Sequence, residues 1–179
     1  MQWQIGNIRV TRIEELMGPL FDPRQFFPAL KPDAFEVHQD WLFPNHVDAK
    51  TGRLIASMHS WLIETDHHKI LVDTCIGNNK QRMPHRDWHE MKTPWLRNLQ
   101  KTGVNPEEID YVMCTHLHVD HVGWNTQLKN GQWVPTFPNA KYIFSKTEHE
   151  FWREQRNKNS EEPFATLNNQ TFDDSVVPI

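Results

Sequence analysis

A short apolar run, Ile109-Asp110-Tyr111-Val112-Met113-Cys114-Thr115, leads straight into His116-Leu117-His118-Val119-Asp120-His121. This junction constrains the fold more than any other stretch of the chain. The run is β-rich and bounded like a buried strand. Three imidazoles and one carboxylate within six residues make a donor set suited to zinc or a similar divalent ion. In an extended segment, side chains at i and i+2 share a face, so His116 and His118 can grip one ion together. Asp120 and His121 follow where the chain can turn and offer a second position. Donors at a strand's C-terminal end, on a loop carried by a rigid sheet, lie where α/β proteins place active sites.

Chance clustering is the competing explanation, since the chain holds 11 His and 11 Asp in 179 residues. Their frequencies predict such a motif in roughly two to three of a thousand comparable chains. The strand before it and Gly123 after it reduce that further. A metal site is therefore the reading carried forward.

The length favours one domain, 1–179, with a real core. A formal net charge of −4 with no basic block argues against nucleic acid as a partner. No apolar run approaches the ~20 residues of a membrane span, and Met1-Gln2-Trp3-Gln4 opens no signal sequence. A cytoplasmic location is the default expectation. Cys75 and Cys114 stand apart in apolar strand-like contexts and read as buried free thiols.

Along the chain, Ile8–Ile13 alternates as an edge-type strand. Residues 17–47 read as an irregular segment, broken by Pro19, Pro23, Pro28, Pro32 and Pro44 and rich in aromatics. It would form a pocket wall, a subunit contact, or a satellite cluster packed on the domain. Residues 57–64 and 69–74 read as a β-hairpin, with His67-His68 in its turn. Asp73 at its end is a poor place for a carboxylate unless it is hydrogen-bonded. His85 and His89 read as solvated. Thr93-Pro94 predicts a helix N-cap and Gly103 its stop. Asn130-Gly131 predicts a hairpin turn. Residues 140–144 predict a strand, and Ser145 with Glu148 a capping box for a helix to about Arg156. Residues 157–170 read as weakly ordered, with a new helix starting near Phe172.

Thr115 to Gly123, T-H-L-H-V-D-H-V-G, resembles the signature of the metallo-β-lactamase-fold hydrolases. The stretches 71–78, 122–125 and 137–140 make the chain look most like the N-acyl-homoserine lactonase and methyl-parathion-hydrolase-like branch. The resemblance implies an α/β fold, an αβ/βα sandwich of two similar halves with two metals between them. This chain corresponds to the N-terminal half, a mixed sheet with flanking helices. It implies His116 and His118 as ligands of the first metal, and Asp120 and His121 of the second. Asp73 would support the metal loop from behind; a strand-end cap is its alternative role. Two Zn²⁺ are expected per complete site, and iron or manganese would also suit the donors. The family's remaining ligands come from its second half. His149, the last histidine here, falls where the family has no ligand and reads as surface or core. The chain is thus expected to be truncated, with an incomplete site.

The implied activity is hydrolysis of an ester, lactone or phosphotriester-type small molecule by metal-activated hydroxide, with Asp120 also orienting the nucleophile or relaying a proton. Two alternatives stand beside it. One is an iron-dependent redox or dioxygenase member of the superfamily. The other is an inactive half-fold that binds metal weakly or only a protein partner, such as a second copy in a homodimer.

Overall fold

The computed structural model describes residues 1–156, 158 and 163–179, without the side chains of 163 and 164. Its chain divides into two compact units, Met1–Glu15 with His59–Ile179, and Leu16–Met58. Eight strands form: β1 (Gln2–Ile5), β2 (Ile8–Phe21), β3 (Leu54–Glu64), β4 (Lys69–Val72), β5 (Tyr111–Met113), β6 (Thr126–Lys129), β7 (Gln132–Pro135) and β8 (Lys141–Ile143). Six of them make one sheet in the order β1-β2-β3-β4-β5-β8, and β6 pairs with β7. The pairs β1–β2 and β3–β4 are antiparallel, while β4–β5 and β5–β8 are parallel. This mixed sheet with flanking helices is the expected α/β class.

The larger unit packs around Leu62, Leu71 and Val112 from the sheet. Helix α4 (Trp95–Gln100) adds Trp95 and Leu99, both fully buried. Helices α5 (Lys146–Gln155) and α6 (Pro163–Ser175) contribute Trp152 and Phe172. The hydrophobic residues of the metal motif join the same core: Leu117 is 1% exposed and Val122 0%. Trp95 stacks on Trp124 at 5.3 Å between ring centroids. Removing a buried Trp side chain of this kind typically costs about 3–5 kcal/mol.

The hairpin expected at 57–74 is present, with Glu64 opposite Lys69 and His68 in the turn. The Asn130-Gly131 turn is present too, both residues at positive φ as a tight hairpin turn demands. Cys75 and Cys114 are buried and free.

Several elements differ from the sequence reading. The strand seen at 8–13 runs on to Phe21, through Pro19, and β1 pairs with it, so it is not at the edge of the sheet. The strand before the motif is only three residues long, with Thr115 already off the ladder and bonded to Asp73, and it is buried only at Val112; Met113 is exposed. Helix α4 has Pro94 rather than Thr93 at its N-cap; the Thr93 hydroxyl turns instead to Asn78 and Glu15. The final helix begins at Pro163 and ends at Ser175, rather than starting near Phe172. Its middle is polar, Asn168-Asn169-Gln170, and burial of Leu167, Thr171 and Phe172 holds it against the larger unit's core, a tertiary effect. The earlier part of the weakly ordered stretch, at 157 and 159–162, lies outside the described residues.

The smaller unit contains three one-turn helices, α1 (Pro23–Phe26), α2 (Ala34–Val37) and α3 (Gln39–Leu42). Asp22 caps α1 through two backbone N–H groups. Phe27, Leu30, Phe35, Arg24, Lys31 and Arg53 help line a cavity of about 610 Å³ there.

Candidate functional site

The candidate site is built where two loops meet, one following β4 and one following β5. Their backbones are stitched together: Thr74 N–H donates to His121 O (2.7 Å), Gly123 N–H to Cys75 O (2.7 Å) and Trp124 N–H to Thr74 O (2.8 Å). Two glycines permit the approach. A Cβ on Gly123 would fall 1.8 Å from Ile76 O, and Gly77, at φ +82°, faces Gly123 in turn. Asp73 also takes a positive φ, 54°, which turns the chain sharply at the end of β4.

The motif alternates as expected at its start. Leu117 points into the core while His116 and His118 face outward together, their ring centroids 4.6 Å apart. The chain then turns, with His121 N–H donating to His118 O at 3.1 Å. That turn brings the His121 ring within 3.8 Å of the His116 ring, centroid to centroid. Asp120 Oδ2 lies 3.4 Å from His121 Nε2.

Asp73 is the hub behind these side chains. Its carboxylate accepts the Thr115 backbone N–H (2.8 Å) and the Thr115 hydroxyl, and it pairs with His121 Nδ1 at 2.8 Å. With Nδ1 held by Asp73, Nε2 is the nitrogen that faces Asp120, and it becomes a metal donor once its proton is lost. Glu148, from α5, takes the Leu117 N–H (3.1 Å) and the Trp152 indole N–H (2.9 Å). The capping-box pattern at Ser145 therefore holds in one direction only: Ser145 accepts from Glu148 N, while the Glu148 carboxylate braces the motif.

The electrostatics follow from this crowding. Burial pulls the His121 pKa down, but the carboxylates of Asp120 and Asp73 outweigh it and raise the imidazole to about 9. Burial, together with neighbouring His121 and His118, lowers His116. Burial opposes the charge on Asp120, yet His121 and His116 hold its carboxyl below the ordinary value.

The donors fit a divalent ion in type and, for one pair, in spacing. Two atoms each about 2.1 Å from a tetrahedral ion lie about 3.4 Å apart, the separation of Asp120 Oδ2 and His121 Nε2. No group of three or more His, Cys, Asp or Glu among the described residues is arranged to enclose a single ion. His149 lies apart, stacked on Phe144 at 5.5 Å and near Phe172 at 5.3 Å. His89 accepts the Arg82 N–H, and His85 stacks on Trp88. No helix among the described residues is long and apolar enough to cross a membrane.

Sequence reasoning gave Glu148 only a capping role, and it assigned nothing to Glu15, which lies between the strand read at 8–13 and the irregular segment read at 17–47.

A family model described as the metallo-beta-lactamase superfamily matches residues 58–178. No protein of curated function matches the chain by sequence. Among solved structures, the chain is similar to the hydrolase AbOPH in the beta lactamase superfamily, at 26% identity and TM-score 0.72. That match covers 99% of this chain and 56% of the other. A probable metal-dependent hydrolase from Staphylococcus aureus matches at 20% identity and TM-score 0.69, covering 93% and 56%. AidC, a dizinc quorum-quenching lactonase in complex with a product, matches at 20% and 0.71, covering 97% and 56%. The chain thus spans a little over half the length of the structures it matches.

Proposed function

Because this chain belongs to the metallo-beta-lactamase superfamily, we propose that it carries the metal-binding half of a metal-dependent hydrolase. The observation that carries this is the Asp73–His121–Asp120 arrangement. Asp73 holds His121 Nδ1 at 2.8 Å, and His121 Nε2 faces Asp120 Oδ2 at 3.4 Å. In the metal-free protein the two carboxylates hold His121 as an imidazolium; an ion that takes the place of the Nε2 proton finds Nε2 and Asp120 Oδ2 already side by side.

In this reading His116 and His118 hold one divalent ion, and Asp120 and His121 hold the second. Zinc is the expected metal, as in the dizinc lactonase AidC. When bound, two such ions supply Lewis acidity and lower the pKa of a coordinated water towards roughly 7. This chain's residues supply the rest. Asp73 fixes the His121 ring, and Glu148 fixes the backbone between His116 and His118. The Asp120 oxygen not facing His121 is free to orient the attacking water and to carry a proton to the leaving group. Substrates would be small molecules with an ester, lactone or phosphotriester centre.

A catalytic zinc usually has three protein ligands, whereas two are assigned here to each position. The reading therefore needs further donors beyond these four, supplied in the assembly that is active. The test is metal content of the chain purified without added metal, followed by zinc titration. Close to two zinc per chain supports a completed site and opens lactone and phosphotriester assays. Iron favours redox chemistry instead. No uptake at millimolar zinc sinks the metal reading. In an active assembly Asp120→Ala removes most turnover, and near-wild-type kcat would remove Asp120 from its role.

A further inference from the structure

We propose that Glu15 is a positioning residue of the metal site, anchoring from beneath both loops that carry Asp73 and His121. This inference rests on the metal reading above. Glu15 lies on β2 and is 6% exposed. Four neutral donors converge on its carboxylate: Ile76 N–H on Oε2 (2.8 Å), and Gly77 N–H (3.2 Å), the Thr93 hydroxyl (3.2 Å) and the Trp124 indole N–H (2.6 Å) on Oε1. Among the described residues no lysine or arginine pairs with it.

A buried carboxylate without a cation is costly, and burial pushes its pKa up against the pull of these donors. An apolar side chain would serve a plain core better. What the carboxylate alone can do is accept from several donors on separate segments at once. Ile76 lies three residues beyond Asp73, and Trp124 three residues beyond His121. The two loops are thus tied to one common point, equally far along each. The 2.8 Å contact between Asp73 and His121 Nδ1 is held between that point and the backbone bonds of Thr74, Gly123 and Trp124. Glutamine fits the same space, but its amide nitrogen would turn a donor towards donors on one side or the other.

The test compares three forms of the full 179-residue chain: wild type, Glu15→Gln, and Leu99→Ala as a core-destabilised control on α4, in the same core but with no hydrogen bond from its side chain to either loop. Two readouts are taken, zinc affinity by titration and the His121 ring nitrogen resonances of the metal-free protein by NMR. Glu15→Gln is expected to weaken zinc binding 10- to 100-fold, the range for groups that orient ligands, and to shift the His121 Nδ1 resonance. Leu99→Ala should leave both within twofold and unshifted in its folded fraction. Folded Glu15→Gln with wild-type affinity and an unmoved His121 resonance overturns the proposal, as does an equal loss in Leu99→Ala. If the wild type binds no zinc, the metal reading fails by itself, and the His121 resonance alone decides Glu15. Should Glu15→Gln not fold, Trp124→Phe removes the 2.6 Å bond and part of the stack on Trp95; an unmoved His121 resonance there overturns the role.

Discussion

Gly123→Ala puts a methyl carbon where the structure has backbone. Its Cβ would lie 1.8 Å from Ile76 O and 2.0 Å from Ile76 C, whereas real Cβ atoms essentially never come within 3.0 Å of such a neighbour. The obstacle is main chain, so no side-chain rotamer relieves it, and the 73–77 loop must retreat by more than about 1 Å. That displacement breaks the Gly123-to-Cys75 and Trp124-to-Thr74 hydrogen bonds, both under 3 Å and buried. Overpacking costs about 1–3 kcal/mol, and each buried backbone group left unpaired costs about 1–3 kcal/mol more. A loss of roughly 3–9 kcal/mol is expected, comparable with the whole stability of a marginal domain. Urea unfolding followed by tryptophan fluorescence reads it directly, since Trp124 sits at the break. Gly18→Ala is the control, because a Cβ there meets nothing within 4 Å. A Gly123→Ala protein within about 1 kcal/mol of wild type, with unchanged zinc affinity, would refute the claim that the two loops must touch.

Other outcomes follow from the same coordinates. Asp73→Asn should weaken zinc binding about 10- to 100-fold by freeing the His121 ring; titration with wild-type affinity would show Asp73 to be a strand-end cap only. Zinc must displace the proton that Asp120 and Asp73 hold on His121 up to about 9. Affinity should therefore rise as pH rises from 7 to 9, with proton uptake by buffer measurable calorimetrically, and flat affinity would deny His121 a ligand role. Lys80 is fully buried beside Arg82 and Asp174, and burial lowers its pKa to about 7 despite Asp174. The unfolded chain binds this proton more tightly, so the Lys80 contribution to stability should climb with pH between about 7 and 10.5, by at most roughly 4–5 kcal/mol, against the fall that His121, raised to about 9, contributes from about 6.5 upward. Lys80→Met keeps the Arg82–Asp174 pair and should abolish that climb; denaturation midpoints across pH that parallel wild type would disprove it.

The hairpin at 57–74, the Asn130-Gly131 turn and the α5 start at Ser145 were legible because local rules govern them. Alternation, turn chemistry and capping act over a few residues, whatever the rest of the chain does. The clustering of His116, His118, Asp120 and His121 was legible for the same reason. The extension of β2 through Pro19 and the early start of α6 at Pro163 were not. A proline inside a strand defies local propensity, and the Asn168-Asn169-Gln170 run gives a helix little local support; both elements are stabilised by pairing and burial supplied from elsewhere in the chain.

The donor types of the candidate site were legible in the primary sequence alone, since three imidazoles and a carboxylate fall within six residues. Which atoms are free to act was decided only by the tertiary structure. His121 Nδ1 is occupied because Asp73, 48 positions earlier, reaches it. Glu15 supports the loops from 61 and 109 positions away. Such partners share no local pattern, because the buried carboxylate and its donors meet only once the sheet has brought β2, β4 and β5 into register.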